Sequence, residues 1–141
     1  MKRKTFIAWL LLAALGATAP RAWSDEGLVV IGNLPVRSLD AETLKRIYTG
    51  RTIELEGLPL RPLNLPSGHP LRRRFLAGVL QQQEDDYLAY WTVRRYIGKG
   101  VPPRELPAGA DVISHVRDTP GAIGYIDAAQ LTPDLNVLLR R

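Results

Sequence analysis

Short β-branched runs and helix-patterned segments take turns from residue 27 to residue 140, and that alternation admits few architectures. "GLVVIGN" (27–33) is a strand signal closed by Gly-Asn. "SLDAETLKRIYTG" follows, with an N-cap candidate at Ser38 or Asp40, Leu44, Ile47 and Tyr48 on one face, and Gly50 as the stop. "LPLRPLNL" (58–65) alternates apolar with other residues, and its two prolines confine it to a strand near an edge or one with an irregular start. Helical spacing recurs over 70–80 behind Pro70, and again over 84–97, where acids fill the first turn and Gly98 ends the pattern. "GKGVPPRELPAG" (98–109) has the glycine and proline density of a loop. A short helix in "ADVISHVRDTPG", a strand at "AIGYID" and a last strand at "NVLLR" (136–140) complete an order β-α-β-α-α-α-β-β. The expectation is an α/β sandwich around a mixed sheet, too short for a doubly wound nucleotide fold with both halves.

The first 24 residues are set apart from this pattern. "MKRK" followed by "TFIAWLLLAALGATA" has the charged head and apolar middle of a secretory leader, with a small-x-small cleavage site at Ala22-Trp23-Ser24. The stretch from Phe6 to Ala19 falls short of the roughly 20 residues a spanning helix needs, so no stable membrane insertion is expected once the leader is cut. Lys2, Arg3, Lys4 and Arg21 carry four of the chain's 19 basic residues, and removing them leaves a net charge of about +1. The basic balance is therefore partly a targeting feature and argues for no nucleic-acid partner. With no cysteine, the chain has no disulfide framework, thiolate metal site or lipid-attachment cysteine. Residues 25–141 are expected to form one exported domain, long enough to bury a core without staples.

"NLPSGHPLRRRF" (64–75) offers the main candidate site. A polar turn at Ser67, Gly68 and His69 opens a helix, and free amides at the positive end of a helix dipole favour an anion. The competing reading is that Ser67 merely caps the helix. Arg72, Arg73 and Arg74 lie 100° apart around that helix, so one or two at most reach an anion at its start, and the run reads otherwise as a solvated face. Arg72 is the candidate contributor. Arg94 and Arg95 read the same way, as a solvated face, with stacking on Tyr90 or Trp91 as the alternative. Tyr87, Tyr90 and Trp91, at helical spacing, read as core rather than as a partner-binding face. Gly121 and Gly124 read as a turn and a close backbone approach with Tyr125 packing beside them. No metal is expected, because His69 and His115 lie 46 positions apart without further ligands at metal spacing. No catalytic residue and no cofactor are expected either. Ser67 lacks a nucleophile elbow, and Gly98-Lys99-Gly100 lacks the spacing of a phosphate loop.

Four stretches, "LDAETLKRIYTGR" (39–51), "LNLPSGHPLRRRFLAGVL" (63–80), "YWTVRRYIGKGVPPRE" (90–105) and "TPGAIGYID" (119–127), together resemble the short, stand-alone phosphate-receptor-like members of the type II periplasmic substrate-binding proteins. The most specific parts are Pro-Gly-Ala-Ile-Gly-Tyr at 120–125 and the Ile-aromatic-x-Gly helix end at 47–50. The resemblance implies a periplasmic, non-enzymatic, single-lobe α/β domain with a mixed sheet flanked by helices. It also implies an oxyanion such as phosphate held at the turn of Ser67, Gly68 and His69, and an ABC permease or envelope sensor as partner. In full-length receptors of this kind the turn is Ser-Gly-Thr with an arginine just upstream. Here His69 replaces the threonine, and Leu63, Asn64, Leu65 and Pro66 precede the turn. The chain resembles only one lobe, so half the usual cleft is missing. A partner or a second copy, as a homodimer, completes the site, or the domain has kept the lobe, lost solute binding and recognises a protein.

Overall fold

A computed structural model describes residues 27–141, so the leader expected at 1–24 lies outside the described residues. The β-branched run forms β1 (Leu28–Gly32), buried along its whole length. Asp40, not Ser38, caps α1 (Ala41–Tyr48), accepting from the Thr43 amide at 2.7 Å, and Gly50 (φ +71°) takes the chain out of the helix. A hairpin of β2 (Glu54–Leu55) and β3 (Leu58–Pro59) follows, then β4 (Arg61–Asn64). α2 (Pro70–Phe75) runs on as a π-helical turn, Leu76–Leu80, that ends at Gln81 in the left-handed region. Next come α3 (Glu84–Tyr96), β5 (Arg104–Glu105), α4 (Gly109–Asp118), β6 (Ala122–Asp127), a 3-10 turn at Ala128–Gln130 and β7 (Val137–Arg140).

Five strands form one mixed sheet in the order β5-β4-β6-β1-β7. β4 runs parallel to β5 and β6, while β1 is antiparallel to both β6 and β7. The expected mixed α/β sheet is therefore present, with two differences. Residues 58–65 are two strands, not one, and β4 stands beside the edge strand β5, near the edge as its prolines suggest. Pro62 is tolerated there because the Arg61 amide bonds toward β6, at Gly121 O (2.8 Å), which turns the Pro62 nitrogen toward β5. Pairing with β5 begins only at Leu63 opposite Arg104, so no donor is needed from Pro62. The second difference is β5 itself, an edge strand of two residues inside a stretch that reads as loop.

Alternation along β6 sets the layers. Tyr125 faces α2, its ring stacked on Phe75 at 4.0 Å, and Tyr48 of α1 packs edge-on against Phe75 at 4.7 Å. Gly124 faces the other side, where α4 comes so close that a Cβ would collide with Val112. Gly121 turns into β6 with φ +86°, and a Cβ there would meet the Pro59 carbonyl oxygen. Both glycines thus serve the turn and the close approach expected of them. Residues 28 and 141 sit side by side, each amide bonded to the other's carbonyl at 2.7 and 2.8 Å.

Candidate functional site

β4 delivers the chain to the Ser67-Gly68-His69 turn, and buried hydroxyls hold that delivery in place. Asn64 donates to the Tyr87 hydroxyl (3.1 Å) and accepts from the Tyr125 hydroxyl (2.9 Å), while the Leu65 amide donates to Tyr125 (3.1 Å). Tyr87 in turn donates to Tyr48 O (3.1 Å), and the Tyr48 hydroxyl donates to Leu63 O (2.8 Å). The Trp91 indole N–H also reaches Tyr48 O, at 3.3 Å. Burial pushes the Tyr87 hydroxyl up to about 12 and raises those of Tyr48 and Tyr125 as well, so all three remain neutral donors. This lattice ties the end of α1 to β4, β6 and α3, and each of its members is paired.

The turn it presents has its helix-start amides largely committed. Gly68 is exposed with φ +86° and open space where a side chain would stand, and Ser67 is exposed beside it. The N-cap of α2 is His69 rather than Ser67, because His69 Nδ1 accepts from the Leu71 amide at 3.1 Å. The His69 amide donates to Pro66 O and the Arg73 amide to His69 O, while Pro70 has no amide hydrogen. Most of the amides that a helix start would offer an anion are thus already used or missing.

Arg72 is not part of that turn's charge. Its side chain is buried at 1% exposure, although the arginine run reads as a solvated face. Nε donates to Glu84 (3.0 Å), Nη2 lies 2.8 Å from the same carboxylate, and Nη1 donates to Glu105 (2.8 Å) and to Leu65 O (3.0 Å). The guanidinium also lies 5.6 Å from the centre of the Tyr87 ring. Burial alone would lower its pKa, but the hydrogen bond and charge of Glu84, joined by Glu105, outweigh burial and raise it. Two carboxylates of the protein thus stand where an anionic ligand would neutralise this cation. The solvated-face reading holds for Arg73 and Arg74, which are exposed, and Arg73 Nη2 folds back to 3.4 Å from Gly68 O. Arg94 stacks on Tyr90 and Trp91 at 5.4 and 5.7 Å. Tyr87 and Trp91 are core, and Tyr90 is half-buried with its hydroxyl on Thr49 O. Sequence spacing could not pair Arg72 with Glu84 and Glu105, which come from other elements. Its one local sign was that Leu71, Arg72 and Phe75 share a helix face.

Among the described residues no cluster of histidine, cysteine or carboxylate groups could hold a metal, and no helix is long and apolar enough to cross a membrane. No family model matches the sequence, and no curated protein matches it. Solved structures do. The chain overlays with a TM-score of 0.64 on a Clostridium perfringens protein described as a phosphate ABC transporter substrate-binding protein with bound phosphate, at 19% identity over 79% of this chain and 44% of that one. The fold matches one lobe of a phosphate-receptor-type binding protein. A phosphate transport receptor from Vibrio cholerae (TM-score 0.61, 14% identity) and PstS from Borrelia burgdorferi (0.60, 15%) give the same result, each over 79% of this chain and 45% and 46% of theirs. The chain thus spans about half the length of the phosphate-receptor structures it matches, and the likeness carries the single-lobe α/β architecture expected from the sequence.

Proposed function

We propose that this single phosphate-receptor-type lobe is exported by its leader to the periplasm. There it acts as a non-enzymatic protein-recognition module, toward an envelope sensor or an ABC permease, rather than as a phosphate carrier. The observation that supports this reading is the buried triad of Arg72, Glu84 and Glu105, in which the protein's own carboxylates neutralise the one arginine buried near the turn. A turn open to water on one side, with its helix amides largely committed, gives an anion only weak, solvent-screened contacts.

A second reading keeps an oxyanion at Ser67, Gly68 and His69, with charge from Arg73 instead of Arg72. It is favoured by the exposed Arg73 guanidinium lying over the Gly68 carbonyl. Calorimetry on residues 25–141 with phosphate, sulfate, molybdate and tungstate separates the two. The recognition reading expects no saturable heat and no thermal stabilisation up to millimolar anion. Saturable micromolar binding that is lost in Ser67→Ala would overturn it in favour of the solute site.

A further inference from the structure

A cleft of about 480 Å³ opens where the end of α1, the start of β4, α3 and the 101–104 segment meet. It gathers at the Arg61 end of β4, away from the Asn64 end that leads to the Ser67 turn. Its floor is Trp91, 5% exposed and held by its indole hydrogen bond to Tyr48 O. Gly50 lets the backbone pass against that ring, since a Cβ there would come within 2.9 Å of Cη2. The apolar side chains of Ile53 and Val101 stand in water at the rim, 70% and 73% exposed. Arg61, Arg104 and His115 also line the cleft, and no carboxylate does. Neither Arg61 nor Arg104 is in an ion pair among the described residues, whereas Arg72 holds two acids and Arg117 one. A smaller recess of about 120 Å³ shares Trp91, Pro102 and Pro103 with the cleft and extends it into a trough toward Asn64 and Arg72; its one carboxylate, Glu105, is already paired with Arg72, and Arg95 lines it as well.

We infer that this trough binds an acidic, extended segment of a partner protein, with one apolar side chain seated on Trp91 between Ile53 and Val101 and carboxylates meeting Arg61 and Arg104. The inference deepens the protein-recognition reading and rests on it. Charge complementarity selects an anionic occupant, and an aromatic floor with two aliphatic rims selects an apolar anchor. A trough longer than its deepest cleft suits a chain better than a compact solute.

The full-length sequence carrying Trp9→Phe and Trp23→Phe leaves Trp91 as the only indole, so its emission reports the floor directly. The probes are three nine-residue peptide mixtures. One has a central Leu, Ile, Phe or Tyr flanked by Asp and Glu, one has the same acids around serine, and one has the same apolar centres flanked by lysine. The first mixture alone is expected to shift Trp91 emission saturably. The Arg61→Ala/Arg104→Ala double variant, altered only at exposed side chains, is expected to weaken that response at least tenfold. No response to the first mixture, an equal response to the lysine mixture, or a response unchanged in the double variant overturns the proposal. So does phenylacetate binding as tightly as the peptides, which would assign the cleft to a small carboxylate. Peptide failure together with silent anion calorimetry would remove this cleft and leave the recognition reading standing.

Discussion

Arg72 carries the sharpest residue-scale test, because a buried cation held by two acids is costly to break from one side. Arg72→Leu is expected to lower unfolding stability by about 3 kcal/mol in urea, and adding Glu84→Leu should recover part of it. A neutral Arg72→Leu would mean that the triad is not a buried unit. Gly121→Ala should cost about 2 kcal/mol or more by the same measurement, since the left-handed backbone and the Pro59 carbonyl both oppose a Cβ. The two residues differ in how legible they were. Gly121 sits in a Thr-Pro-Gly turn whose need for glycine is local. Arg72 finds its acids 12 and 33 positions away, and nothing in the arginine run distinguishes it from Arg73 and Arg74 except the helix face it shares. The tyrosine lattice was hidden for the same reason, since Tyr48, Asn64, Tyr87 and Tyr125 meet only through the fold.

At the scale of elements, α2 depends on an unusual cap. His69→Ala should cost about 1 kcal/mol in thermal unfolding, and His69→Asn much less, because asparagine also accepts from a helix amide. A His69→Asn variant that loses as much stability as His69→Ala would show that the ring, not the cap bond, matters. α4 is tied to the 132–136 segment by Arg117, whose Nε donates to Asp134 at 2.8 Å. The hydrogen bonds from Arg117 and Thr132 hold the Asp134 carboxyl down at about 2. A carboxyl depressed on folding stabilises above its unfolded value and loses that contribution as it protonates. Acid titration of stability should therefore show a step as pH falls from about 4 toward 2, absent in Asp134→Asn. Elements were legible where their ends carried local chemistry, as at Asp40, Gly50, Gly98 and the whole of β6. They were not legible where tertiary partners decide, as for β5, a strand only because Leu63 and Asn64 lie beside it.

At the scale of the whole chain, the described residues match about half of a phosphate-receptor structure, and solution size tests how that half behaves. Residues 25–141 are expected to scatter as a monomer with a radius of gyration of about 13 Å. That radius should not change on adding 10 mM phosphate, because the recognition reading gives phosphate no saturable site. A phosphate-dependent dimer would restore the solute reading by supplying the missing wall. The pairing of residues 28 and 141 has a different kind of consequence. β1 and β7 are antiparallel neighbours whose outer ends meet at one edge, so tension applied between those two residues falls on one rung of the ladder at a time. The bonds of such a pair peel in sequence instead of resisting together in shear. A chain pulled by these points would therefore yield at low force, opening like a zipper from the Leu28–Arg141 rung inward.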